Sequence, residues 1–292
     1  MLSMKKVKFR LNPVLMKELK VKMRSWKAAI LIGIYNLVLT LLTIFITKIS
    51  MDEYSFTVST DVIIGIYTFM AVMQFGLVTL ISPALTAGAI SGEREKQTLD
   101  ILLSTTMKHR SIIVGKLLAS LSHMLLLVVS SLPTFSIIFL YGAIGVKELL
   151  QLFLFYIVTA LTFGSIGIFF STFFKKSTAA NVLSYAVIVF LFLGTILISL
   201  FYLELVLLPR TNYSYNGTFW LFYLNPAIAL VSLLATQFAE GLGGVFPGLF
   251  LSGKQSGIQL WHINMLVNMI ISCLLIYFSA RKLNPAKKKW FS

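Results

Sequence analysis

The chain has 292 residues, 58% of them hydrophobic and 12% charged, with a formal net charge of +15. A soluble domain carries roughly a quarter charged residues, so this chain holds more apolar surface than a water-facing fold can hide and needs lipid. Its single cysteine, Cys273, lies in an apolar run and excludes an intramolecular disulfide.

Residues 1–27 are basic. Asn12-Pro13 suits a helix start, with Asn as cap and Pro in the first turn. Beyond it Leu15, Leu19, Met23 and Trp26 form one stripe, and Lys17, Lys20, Arg24 and Lys27 form the opposite one. This pattern predicts an interfacial helix on an anionic membrane surface, with Trp26 at headgroup depth. A plain membrane anchor explains the same residues equally well. No cleavable signal peptide is evident, because the first apolar run starts only after Lys27, is long enough to span, and lacks a small-x-small cleavage site.

Apolar runs follow at 28–46, 62–88, 117–141, 149–174, 179–203 and 262–280. Each is close to the ~20 residues needed to cross the hydrocarbon. Pro83 and Pro133 fall inside runs and are expected to kink them, which membrane helices tolerate. Six spans put both termini on one side. Of 25 Lys and Arg, only Lys48, Lys147, Arg210 and Lys254 fall on the other. The positive-inside rule therefore places both termini in the cytoplasm. The same asymmetry explains the basic balance without nucleic acid.

Between the second and third spans, residues 91–116 form the longest charged stretch in the middle of the chain. Leu99, Leu102 and Leu103 recur at i, i+3 and i+4, so one face of a short helix is apolar, while Glu95, Lys96 and Asp100 lie off it. That predicts a cytoplasmic amphipathic helix held between two spans and suited to receiving force from a soluble partner. A solvated loop with an interfacial helix and no further task is the alternative. The 204–261 segment starts polar, contains an apolar piece at 219–238 broken by Asn225-Pro226, and ends Gly-rich. Counting that piece as a seventh span would put the basic C-terminal tail outside. One or two short helices dipping into the outer leaflet are the better expectation.

Residues 82–116, SPALTAGAISGEREKQTLDILLSTTMKHRSIIVGK, resemble the segment after the second membrane helix of ABC-2 type permeases, the membrane subunits of ATP-binding-cassette exporters. The resemblance implies that Glu93, Arg94, Glu95, Thr98 and Leu99, with the adjoining Asp100, belong to a coupling helix that docks on the ATPase. Gly115-Lys116 matches the start of the third membrane helix. Two positions depart from the pattern: Gln97 stands where Gly is frequent, and Thr106-Met107 where Thr-Pro is frequent. The run NPVLMKEL, which holds Asn12, Pro13, Lys17 and Glu18, resembles the N-terminal start of these permeases, where Arg24 and Trp26 would also border the ATPase. The 204–261 segment resembles their short helices between the fifth and sixth spans.

The expectation is one all-α transmembrane domain of six transmembrane helices. It has an N-terminal amphipathic helix (1–27), a cytoplasmic coupling region (89–116) and short outer-leaflet helices in 204–261. The resemblance implies the permease subunit of an exporter in the cytoplasmic membrane. Two permease chains, identical or homologous, would pair with two ABC ATPase chains. Cofactors on this chain are none, since ATP and Mg would sit on the ATPase; partners also include membrane lipids and no nucleic acid.

Other chemistry is poorly supported. Residues 248–255, GLFLSGKQ, approach a phosphate-cradling loop but place Gln255 where Ser or Thr must hold Mg²⁺. His109, His123 and His262 lack metal-ligand spacing. The spans hold almost no ionisable groups, whereas an ion-coupled transporter usually places charge mid-membrane. The 24 Phe suit an amphiphilic or peptide-like cargo, although Phe in a membrane helix is more often lipid-facing or core. Two alternatives stay open: a non-transporting membrane immunity or anchor protein, and a membrane-embedded enzyme dependent on His123 or His262.

Overall fold

The computed structural model describes residues 16, 26–50, 60–104, 108–140, 144–202, 205, 220–238 and 259–283. Among them there are helices and turns and no strand. In chain order the helices are α1 (Trp26–Ser50), α2 (Thr60–Thr86), α3 (Ser91–Glu95), α4 (Leu99–Leu103), α5 (His109–Ser130), α6 (Leu132–Leu140), α7 (Val146–Phe173) and α8 (Ser177–Val189). A π-helical turn (Phe190–Gly194) joins α8 to α9 (Thr195–Tyr202). A 3₁₀ turn (Trp220–Tyr223), α10 (Pro226–Gln237) and α11 (Leu260–Lys282) complete the order.

Among the described residues, five helical stretches are long and apolar enough to cross a membrane: Val62–Glu95, His109–Ser136, Val146–Phe173, Ser177–Tyr202 and Leu260–Lys282. The first predicted span falls on α1, a helix of 25 residues whose described side chains include the apolar stretch Ile32–Phe45. Around Asn225-Pro226 the chain forms a 12-residue helix. At 1.5 Å per residue it is ~18 Å long, too short to cross ~30 Å of hydrocarbon. The basic N-terminus, the Gly-rich 241–257 run and the C-terminal tail lie outside the described residues.

Both prolines act locally. The run 117–141 is broken at Ser131, and Pro133 falls in the first turn of α6, where a missing N–H costs nothing. Pro83 stays inside α2, and nearby the Thr86 hydroxyl donates to the Ser82 carbonyl at 2.8 Å and reaches that of Pro83 at 3.3 Å.

The central helix is α7, packed along α2 on one side and α11 on the other. Tyr156, Phe155 and Phe163 are fully buried on it, and the Tyr156 hydroxyl donates to the Ala71 carbonyl of α2 at 2.8 Å. Gly167 permits the closest approach. A Cβ there would overlap the Thr86 hydroxyl and come 3.1 Å from the Ala87 backbone nitrogen. Small residues are what let membrane helices meet this tightly. On α11, Asn264, Asn268 and Ser272 recur at i, i+4 and i+8 and are all buried. They face α7: Thr162 Oγ1 lies 3.4 Å from the Asn268 carbonyl, and Ser272 Oγ donates to Thr162 Oγ1 at 3.2 Å. Asn268 Nδ2 donates to Asn264 Oδ1, and Asn264 Nδ2 to the Tyr223 carbonyl, each at 2.7 Å. Of these five long stretches, α8–α9 is the least enclosed and α7 the most.

Candidate functional site

The charged stretch begins where α2 ends. The backbone N–H groups of Ile90 and Ser91 both donate to Ser171 Oγ of α7 at 2.9 Å. The Ser91 hydroxyl returns to the Ala87 carbonyl at 2.9 Å. Opening N–H groups of a helix have no partner within it, and here a buried serine from the central helix supplies one.

At its other end α3 closes with the two crossed bonds of a Schellman motif: Thr98 N–H to the Glu93 carbonyl at 2.9 Å, and Gln97 N–H to that of Arg94 at 3.1 Å. The residue between, Gln97, has a φ of 58°, the left-handed region that favours glycine. The departure from the permease pattern at this position therefore has a backbone meaning. Thr98 and Glu93 also meet through their side chains, the hydroxyl donating to Glu93 Oε2. The Thr98 backbone is itself helical, with φ −95° and ψ −7°, and its hydroxyl does not cap α4, as caps ordinarily sit in the extended region.

The three charged side chains of α3 each reach a different long helix. Glu93 Oε1 accepts from Lys116 Nζ of α5 at 2.9 Å; the lysine side chain is 5% exposed and the glutamate 33%. Arg94 donates to the Phe174 carbonyl at 2.9 Å and the Thr172 carbonyl at 3.2 Å, satisfying the C-terminal end of α7. Glu95 accepts from the Ser177 backbone N–H and hydroxyl at 2.8 Å each, capping the N-terminus of α8. Arg94 and Glu95 both carry the sign that the helix dipole favours at their ends. Burial pushes the Glu93 carboxyl up, but the hydrogen bonds from Thr98 and Lys116 and the charges of Lys116 and Lys96 outweigh it and hold the group below its ordinary range. The Ser177 N–H and hydroxyl hold the exposed Glu95 carboxyl down as well.

The next turn is α4. Leu99 is buried, and Leu102 and Leu103 are half-buried against the main core, as their spacing predicts. Asp100 and Ile101 point away, with Ile101 69% exposed. Of the candidate residues, Glu93, Arg94, Glu95, Thr98 and Leu99 thus come together at one end of the bundle, with Asp100 on the outer side of α4. Asn12, Pro13, Lys17, Glu18 and Arg24 lie outside the described residues, and so does the side chain of Trp26, the first residue of α1.

Sequence reasoning missed the partners Lys116, Ser171 and Ser177. Lys116 carried a signal: it stands immediately before an apolar run, and a cation drawn into a bundle needs a carboxylate. The two serines carried none, because a buried serine in a membrane helix ordinarily bonds its own preceding turn. Of the histidines, His262 accepts from the Gln259 backbone N–H at 3.3 Å and stacks on Trp261, with ring centroids 3.6 Å apart. Among the described residues no three His, Cys, Asp or Glu stand together as metal ligands.

Residues 13–279 match the family model of the ABC-2 family transporter protein. The chain belongs to the ABC-2 transporter family. No curated protein matches it. This ABC-2 permease is a multi-pass membrane component of an ABC transporter, and members of the family generally work with an ABC ATPase and have no catalytic site of their own.

Proposed function

We propose that this permease is the membrane half of an exporter, moving an amphiphilic or peptide-like cargo out across the cytoplasmic membrane on ATP hydrolysis by a separate ATPase. In this reading α1 is a sixth span, and both termini and the α3–α4 segment face the cytoplasm. The lysine and arginine asymmetry supports that orientation. Two permease chains, identical or homologous, pair with two ATPases that carry ATP and Mg²⁺.

The observation behind the coupling role is that Glu93, Arg94 and Glu95, consecutive on one turn, hold α5, α7 and α8 respectively. A push on this segment is delivered to three long helices at once. The α4 turn would supply the contact, since Asp100 and Ile101 are exposed while buried Leu99 keeps the turn fixed to the bundle. Glu93, Arg94, Glu95 and Thr98 act as transmitters, and Asp100 as a docking residue. When the ATPases close on ATP, the segment tilts and draws α5, α7 and α8 towards the outward-facing state.

The test is affinity purification of the tagged chain from its native membrane in mild detergent, followed by mass spectrometry and ATPase assays. A stoichiometric ATPase is the expected companion. Ile101→Glu should release it. Glu93→Ala with Glu95→Ala should retain it and lose cargo-stimulated hydrolysis. A chain that purifies alone in several detergents, or a double variant with normal stimulation, overturns the reading.

A further inference from the structure

Halfway along Ser177–Tyr202 the helix changes its winding. The π turn Phe190–Gly194 inserts a residue into the ladder, and such turns leave backbone carbonyls short of regular partners and mark places where helices bend. Here the gap is filled from another part of the chain. Asn225 Nδ2 donates to the Phe192 carbonyl at 3.1 Å and to Thr195 Oγ1 at 2.8 Å. Thr195 Oγ1 in turn donates to the Leu191 carbonyl at 2.7 Å. Asn225 is fully buried and Thr195 nearly so.

The other side of the same amide is equally committed. Asn225 Oδ1 accepts from the backbone N–H groups of Ala227 and Ile228, capping α10, with Pro226 in its first turn. One side chain therefore joins the π turn to the start of α10. Two residues earlier, the Tyr223 carbonyl accepts from Asn264 of α11. The junction 223–225 is fixed to the core on one face and to the π turn on the other. Beyond the π turn, α9 buries only Thr195 and Ser199, while Leu197, Leu200 and Phe201 are more than half exposed. Apolar contacts also hold the helix here, with the Phe192 ring against Phe75 of α2 and Phe163 of α7 and Ile196 against the main core; Asn225 adds the polar tie that runs on into α10. The opposite end of the same helix is the one capped by Glu95.

We propose that Asn225 is a positioning residue: it clips the π turn to α10, so that a bend of Ser177–Tyr202 at that turn, started from the Glu95 end, moves α10. The inference rests on the coupling role given above. It assigns the π turn as the pivot, and the polar junction as the place where motion passes to the far end of the molecule.

The two duties of Asn225 can be separated. Asn225→Ser keeps an N-cap for α10 but is too short to reach Phe192. Thr195→Val leaves the cap untouched and removes the hydroxyl that the amide holds. The full chain with its co-purified ATPase is reconstituted in nanodiscs on a Cys273→Ser background. Spin labels on Leu154 of α7 and Val182 of α8 report the near half of the lever, and labels on Leu154 and Thr236 report α10. Distances are measured with and without ATP and vanadate.

In the parent both distances should shift with nucleotide. In Asn225→Ser the Val182 shift should remain and the Thr236 shift should fall by more than half, with a smaller fall in Thr195→Val. A Thr236 shift of parental size in both variants overturns the clip while leaving the coupling role intact. No shift at either pair in the parent overturns the coupling role and the clip together. If Asn225→Ser does not fold, Thr195→Val alone decides.

Discussion

At the charged end, three ionised side chains on one turn hold a buried ammonium, two terminal carbonyls and a helix-opening N–H. In the interior, amides and hydroxyls join the helices: Asn264, Asn268 and Ser272 of α11 meet the 223–225 junction and Thr162 of α7. Both regions join helices by polar contacts, and their chemistry follows depth. Removing a charge from water costs several kcal/mol per ion, which is tolerable where a helix terminus or an opposite charge compensates. A neutral amide costs less and suits the apolar middle of the bundle. Lys116 crosses this division, as a buried cation reached by a carboxylate one third exposed.

That asymmetry can be broken from either side. Glu93→Ala leaves an almost fully buried ammonium without its carboxylate and should cost ~3 kcal/mol. Lys116→Met leaves Glu93 with Thr98 and partial solvent, and should cost about 1 kcal/mol. Glu93→Gln with Lys116→Met should lie close to the parent. Thermal unfolding in detergent measures all three, and equal costs for the two single variants would contradict the burial argument. In the interior, Asn264→Leu removes the donor to the Tyr223 carbonyl and the acceptor of Asn268 Nδ2, for about 1–2 kcal/mol. Its cost should not change with ionic strength, whereas partial exposure of Glu93 makes the charged pair sensitive to salt.

Acid separates the two regions further. The Glu93 carboxyl is held below its ordinary range, so its contribution to stability is present above that range and is lost as pH falls through the folded-state value. Unfolding followed from neutral pH downwards should show an acid loss in the parent that is smaller in Glu93→Gln with Lys116→Met. Asn264→Leu should keep the parent's acid loss, since no group in the amide spine titrates there.

Five of the predicted spans were legible because ~20 apolar residues have few ways to exist in water, and the run 149–174 lies within three residues of α7 at either end. The apolar face of α4 was legible for the same reason, with Leu99 buried and Asp100 exposed. Periodicity does not register where a charged side chain finds its partner. Glu93, Arg94 and Glu95 read as a surface run meant for another protein. Their partners lie 23 to 82 residues away along the chain, and only packing reveals them. The π turn was equally hidden, because FLFLG is as apolar as its surroundings and winding leaves no trace in hydropathy.

The smallest expected effect concerns Gln97, the first of the two departures from the permease pattern. Gln97 closes the Schellman motif in the left-handed region, where a side chain costs roughly 1 kcal/mol that glycine does not. Glycine also adds freedom to the unfolded chain, which takes back part of the gain. Gln97→Gly should therefore stabilise the protein by only about 0.5 kcal/mol, read as a small rise in unfolding midpoint. The gain should persist in Glu93→Gln with Lys116→Met, because it comes from the backbone and not from the ion pair beside it. A loss of stability instead would mean that the Gln97 side chain makes a contact outweighing the strain of its backbone, and would move the explanation of this departure from φ to the side chain.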